Sequence, residues 1–162
     1  MVKLYASVCI EAPAACVWDR LAQLEDIQVW SDAVIHAHCP AAQSHGVGAE
    51  RTCELVGGRT IVERWTAWEE GRSFQYEGAG LPLVKRAVSR WTVQPAGDRA
   101  LLVSEAEVEF KGGLGGRILG LVMAPVMRRM APGALASFKY LVEHGQPYAG
   151  KATELPRAAV TC

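Results

Sequence analysis

An excess of one charge is what this sequence lacks first: its 162 residues carry 17 Lys and Arg against 17 Asp and Glu. With no net field, neither nucleic acid nor an anionic membrane is expected as a partner of the chain as a whole. Cysteine is sparse. The five residues at 9, 16, 39, 53 and 162 form no CxxC pair, and an odd, scattered set does not read as a disulfide framework or a structural zinc site. A reducing, cytoplasmic setting is the expectation. Long hydrophobic runs are also missing: the longest apolar stretch, 118–127, is about half a membrane-crossing helix, so stable membrane insertion is not expected. The amino terminus alternates instead of building the apolar core of a signal peptide. What is present is a chain half apolar by composition, of a length that fits one domain.

Val2, Leu4, Ala6, Val8 and Ile10 alternate with Lys3, Tyr5, Ser7, Cys9 and Glu11, which predicts a first strand with one buried and one wet face. Pro13 suits a first helical position, and Val17, Trp18, Leu21 and Leu24 follow at helical spacing. Ile27 and Trp30 extend the stripe onto a second short helix that ends near Ser31 and Asp32. From Ala33 onward, extended segments separated by turn residues predict strands at 33–39, 48–56, 59–69, 72–78, 84–94 and 99–110. Gly57-Gly58, Glu70-Gly71 and Pro95-Ala96-Gly97-Asp98 mark hairpins, and 78–82 marks a looser connection. In the last strand Leu102, Ser104, Ala106, Val108 and Phe110 share one face, with Glu105, Glu107 and Glu109 on the other.

A glycine-rich lead-in at 112–116 precedes Met123, Met127, Met130, Ala134, Phe138 and Leu141 at steps of three and four, which predicts a long carboxyl-terminal helix ending at His144-Gly145. Pro125 and Pro132 lie inside it and predict a kink or a break. The glycine run fits neither a phosphate loop nor the dinucleotide fingerprint and reads as a hinge, and no cofactor is expected. Residues 1–145 are expected to form the domain. Residues 146–162 lack periodicity and are expected to be a mobile tail.

One strand, two short helices, six antiparallel strands and a long helix describe a curved sheet around one terminal helix. Pro13, Val17-Trp18, Trp30, Gly46-Val47-Gly48 leading into Arg51, Glu63-Arg64-Trp65 and Phe74-x-Tyr76, over about residues 1–145, resemble the START/Bet v 1-like (SRPBCC) superfamily of polyketide cyclases/dehydrases and lipid-transfer proteins. The resemblance implies an α+β helix-grip fold with a curved seven-stranded antiparallel sheet. It also implies a deep, mostly apolar cavity that holds a hydrophobic small molecule between the sheet and the last helix. Met123, Met127 and Met130 would give that cavity a deformable wall, or would fill a dry core instead.

Strand parity selects the polar residues that share faces with apolar ones. Ile61, Glu63 and Trp65 share a face, as do Phe74 and Tyr76, and Arg51 shares one with Cys53 and Leu55. A buried carboxylate left unpaired has its charged form disfavoured, which fits Glu63 as a general acid or base; Tyr76 would donate a hydrogen bond to an enolate, and Ser104 would orient substrate. Arg51 would bind an oxyanion or simply pair with Glu63. A two-residue Gly57-Gly58 turn sets Arg51 opposite Arg64, and a bulged three-residue loop sets it opposite Trp65; only the second places Arg51 and Glu63 on one face. Trp65 and Trp91 are candidates to face a ligand with Phe74 and Val108, whereas Trp18, Trp30 and Trp68 look structural. His36 and His38 alternate on one strand but lack a clear third ligand, so no metal site is expected and His36 is kept as a rim acid or base. Arg128-Arg129 reads as a solvated face. Two functions fit: an enzyme of the cyclase/dehydrase type promoting aldol-type cyclisation or dehydration, and a carrier of a lipid or aromatic metabolite. The assembly is expected to be a monomer or a homodimer.

Overall fold

The period-two pattern of residues 2–10 becomes β1 (Val2–Ile10), whose Val2, Ala6, Val8 and Ile10 are buried. The structure, a computed structural model, describes residues 1–162. Two helices follow, α1 (Ala14–Leu21) and α2 (Ile27–Trp30), joined through a 3-10 turn at Leu24–Asp26. Val17, Trp18, Leu21, Leu24 and Trp30 are the residues they bury, which is the stripe their spacing predicts. Six further strands form a meander: β2 (Val34–His38), β3 (Glu50–Leu55), β4 (Arg59–Glu69), β5 (Ser73–Ala79), β6 (Val84–Ala96) and β7 (Arg99–Phe110). All pairs are antiparallel, and the order β1-β7-β6-β5-β4-β3-β2 makes β1 and β2 the sheet edges. The last element is α3 (Leu114–His144), which lies mainly against β1 and β7 and buries Leu135, Phe138 and Leu141 against the sheet core.

The β3–β4 loop differs from both registers considered above. Val56, Gly57 and Gly58 form a three-residue connection, Leu55 faces Arg59, and Arg51 therefore lies directly opposite Glu63. No bulge occurs there. The irregularity sits farther along β4, between Trp65 and Ala67, where an extra residue resets the alternation. It lets both Trp65 and Trp68 join the inner aromatic cluster around Phe74.

The break expected in α3 is absent: the helix runs uninterrupted through Pro125 and Pro132. Both prolines are on the exposed side, where water can satisfy the carbonyls whose helical donors proline removes. At its start, Gly116 packs so tightly that a Cβ would lie 2.3 Å from the Lys111 carbonyl oxygen, so this glycine serves close approach as well as flexibility. The left-handed Gly145 caps the other end, its amide donating to the Leu141 carbonyl.

Residues 146–162, expected as a mobile tail, fold back over α3, and the last four of them lie beside β1. A 3-10 turn at Ala152–Glu154 is tied by the Ala152 amide donating to Asp32 at 2.9 Å. The Cys9 amide donates to the Ala159 carbonyl at 2.8 Å, the Ser7 hydroxyl donates to the Val160 carbonyl at 2.8 Å, and Cys9 is disulfide-bonded to Cys162. That single bridge departs from the reducing setting expected from the scattered cysteines. It joins residues 153 apart in sequence, which spacing alone does not reveal. Cys16, Cys39 and Cys53 remain as thiols. Burial pushes the Cys39 thiol up to about 11 and that of Cys53 up to about 12, whereas Cys16 is exposed. A thiol reagent is therefore expected to modify Cys16 first in the native protein and to count three thiols after denaturation; a count of five would remove the bridge.

Candidate functional site

Rows of residues across the concave face follow from the strand register. One row runs Arg51, Glu63, Gly78, Ala87, Val108 and Val2 from β3 to β1; the next runs Trp65, Tyr76, Ser89, Ala106 and Leu4. A third joins Phe74, Trp91, Ser104 and Ala6. The opposite face of the sheet carries the polar partners, with Lys3–Glu107, Lys85–Glu109 and Arg86–Glu77 ion pairs at 2.8, 2.8 and 2.5 Å. Such exposed pairs contribute little to stability, but they mark which side faces water.

Arg51 and Glu63 are the charged residues buried on the inner side, at 4% and 6% exposure. Arg51 Nε donates to Glu63 Oε2 at 2.7 Å, Nη2 lies 2.6 Å from the same oxygen in an ion pair, and the Cys53 thiol donates to it at 3.6 Å. Nη1 donates to the Leu24 carbonyl at 2.5 Å, tying β3 to the turn after α1. Burial opposes the Arg51 charge, but the adjacent Glu63 carboxylate outweighs it and raises the guanidinium above its ordinary range. The guanidinium carbon lies 5.0 Å from the Trp65 ring centroid and 5.8 Å from that of Tyr76. Burial, reinforced by the Glu63 charge, pushes the Tyr76 hydroxyl up to about 12, so it stays a proton-bearing donor through neutral pH.

Glu63 is held through one oxygen. All of its hydrogen bonds fall on Oε2, which leaves Oε1 free. The Trp65 indole N–H, buried beside Arg51, has no hydrogen-bond partner. Together these make a cluster of donors and one free acceptor among aromatic rings, with Trp65 and Tyr76 4.9 Å apart and Trp30 and Trp91 5.9 Å apart.

The space beside this cluster is small. A cavity of about 20 Å³ is lined by Leu21, Gln23, Ile27, Trp30, Arg51, Phe74, Tyr76 and Trp91. That is room for a single water, not the deep chamber the resemblance implies. The interior is closed by Phe138, which meets Trp30 edge-on at 5.3 Å. Met123 and Met130 are exposed and Met127 is half-buried, and none lines the cavity. Val108 is buried opposite Ala87 and Ser104 is half-buried opposite Trp91; neither lines the cavity, and Glu63 and Trp65, buried beside Arg51, do not line it either. His36 is exposed and bonded to Gln28 at 3.1 Å, while His38 pairs with Glu25 at 3.4 Å, so both stand on the outside of β2. Trp30, read from the sequence as structural, and Gln23, not singled out there, do line the cavity. The helical stripe that contains Trp30 was the available signal; it does not distinguish a core residue from a cavity wall. A larger cleft of about 520 Å³ lies between the end of α3 and the returning terminal segment, and shares no residue with the cavity beside Arg51.

Residues 1–143 match the family described as polyketide cyclase / dehydrase and lipid transport. The chain belongs to that family. Its seven-stranded sheet and long terminal helix are the helix-grip fold of the SRPBCC superfamily. Among solved structures, a protein from Thermus thermophilus aligns with a TM-score of 0.70 at 17% identity, covering 88% of this chain and 98% of the other. A START superfamily protein from Mycobacterium smegmatis gives 0.68 at 14% identity over 90% and 100% of the two chains. Truncated norcoclaurine synthase from Thalictrum flavum gives 0.66 at 16% identity over 86% and 92%. These likenesses establish the shared fold. No curated protein matches the sequence.

Proposed function

We propose that outward movement of α3 widens the 20 Å³ space beside Trp30, Phe74, Tyr76 and Trp91, and that the chain binds a hydrophobic, carbonyl-bearing small molecule there and promotes its aldol-type cyclisation or dehydration. The observation that carries this reading is the one-sided grip on Glu63: Arg51 holds Oε2 and leaves Oε1 without a hydrogen bond. In the proposed step Oε1 takes a proton from the carbon beside a substrate carbonyl, while the Tyr76 hydroxyl stabilises the oxyanion that forms. The new carbon–carbon bond forms when that enolate carbon attacks a second carbonyl, the resulting alkoxide takes the proton back from Glu63, and in dehydration that hydroxyl leaves with a hydrogen of the adjacent carbon as water. Orientation and exclusion of bulk water supply most of the rate in such a scheme.

A second reading is favoured by the engagement of all three Arg51 nitrogens, Nε hydrogen-bonded and Nη2 ion-paired to Glu63 and Nη1 donating to the Leu24 carbonyl. On that reading the pair is a structural tie and the protein carries its ligand unchanged. Native mass spectrometry of the purified protein, before and after incubation with a poly-β-carbonyl substrate, separates the two. The enzyme releases a product lighter by one water, and Glu63→Gln retains binding with a turnover at least tenfold lower, within the range of a lost general base. Wild-type protein that returns its ligand unchanged is a carrier; a Glu63→Gln protein with full turnover has lost the proposed base.

A further inference from the structure

The neutral total charge conceals a local segregation in α3. Between Phe110 and Glu143 there is no Asp or Glu, while Lys111, Arg117, Arg128 and Arg129 are all exposed and none makes an ion pair. The amino-terminal half of the helix is also apolar on its outer side: Leu114, Ile118, Leu121 and Val122 are 77%, 63%, 76% and 63% exposed. With about 100° of turn per residue, these four and Pro125 fall on one side of the helix, and Gly116, Gly120 and Ala124 fall on the opposite side, where they are buried. Arg117 borders the apolar stripe, and Arg128 and Arg129 close its carboxyl-terminal end.

By length and composition α3 would suffice to cross a membrane, yet only 17% of its most apolar 18-residue window is buried. A second apolar element flanks it. Leu83 is 61% exposed and is the one non-glycine residue in the left-handed region, at φ 65°. Its carbonyl accepts from the Lys111 amide at 2.7 Å, which holds the loop tip against the start of α3. Holding a leucine outward in a disfavoured backbone conformation costs energy that burial in the fold does not return.

We infer that this face of α3, with the Leu83 tip, docks onto an anionic lipid surface. Apolar side chains with flanking arginines and no acids match what an interfacial helix presents to acidic headgroups: the apolar stripe enters the acyl boundary and the guanidinium groups remain among phosphates. A second copy of the chain is the poorer occupant, because a two-fold contact through this face sets the unpaired arginines of one copy against those of the other. Docking of this kind is peripheral; α3 stays packed on β1 and β7. It does not depend on what the interior binds or whether it is transformed.

The test is flotation of the full chain with phosphatidylcholine vesicles and with vesicles containing three parts in ten phosphatidylserine. Binding at least tenfold stronger to the anionic vesicles at low salt, falling as salt is raised, is expected. Ile118→Asp with Leu121→Asp is expected to abolish it. Arg117→Gln, Arg128→Gln and Arg129→Gln together are expected to weaken it roughly fivefold per arginine. These side chains are exposed, so circular dichroism should show unchanged folding. Hydrogen exchange gives a second readout: vesicles should protect amides 114–126 relative to the rest of α3. Equal partition of wild type and variants, no partition at either composition, or self-association through Leu121 without vesicle binding would each overturn the inference.

Discussion

Replacing Arg51 with alanine is expected to destabilise the protein by about 3–5 kcal/mol, because it leaves the Glu63 carboxylate buried without its partner. For a domain of this size that corresponds to a fall in Tm of roughly 2–4 °C per kcal/mol. The loss exceeds what the pair itself contributes. Forming it requires both charges to leave water, and that cost offsets most of their attraction. The double replacement Arg51→Met with Glu63→Leu should therefore recover most of the loss. Chemical denaturation measures both: the single variant shifts the midpoint with little change in slope, and the double variant shifts it back. A single-variant loss below about 1 kcal/mol would mean that water reaches Glu63 and that the buried character of the pair has been overstated.

Phe138→Ala is the other large effect. Phe138 is fully buried, edge-on to Trp30, and packed with Leu135 and Leu141 along the inner side of α3. Truncation removes the ring's burial and leaves a hole the helix cannot fully close, for an expected cost of about 3–5 kcal/mol. The hole opens beside Trp30, one wall of the 20 Å³ cavity, so it should join that cavity and create a dry site. A small aromatic such as benzene is then expected to raise the melting temperature of Phe138→Ala and to leave the wild type unmoved. If the variant is destabilised by less than about 1 kcal/mol, α3 has collapsed onto the sheet and the interior is more compliant than its packing suggests.

The two variants separate what was legible in the sequence from what was not. The alternation of β1 and the opposed faces of β7 were readable because period two survives when one face is buried and the other is wet. Arg51 and Glu63 were readable as candidates on the same grounds. Their direct opposition was not, since it depends on a three-residue loop, Val56-Gly57-Gly58, whose unbulged geometry composition does not dictate. Pro125 and Pro132 inside the helical pattern predict a kink or a break; on the exposed side where they lie, water takes the place of the missing donors and the helix continues. The methionines share the helical period with Phe138, yet Met123 and Met130 are exposed and Met127 is half-buried. Periodicity reports which residues align along a helix, not how far that helix remains in contact. The course of residues 146–162 was hidden for a different reason: it rests on a cysteine at each end of the chain and a few backbone hydrogen bonds, none of which leaves a repeat.

That returning segment has a consequence for copies of the chain meeting one another. β1 is a terminal strand of an open sheet, and a bare terminal strand offers amides and carbonyls to any extended peptide that drifts alongside. Ala159 already occupies the outward amide of Cys9, and Val160 occupies the Ser7 hydroxyl, with Cys162 clamped in place beyond them. The returning residues thus act as a selvedge over the Cys9 end of that border, taking the outward amide that a second strand would otherwise begin to pair with.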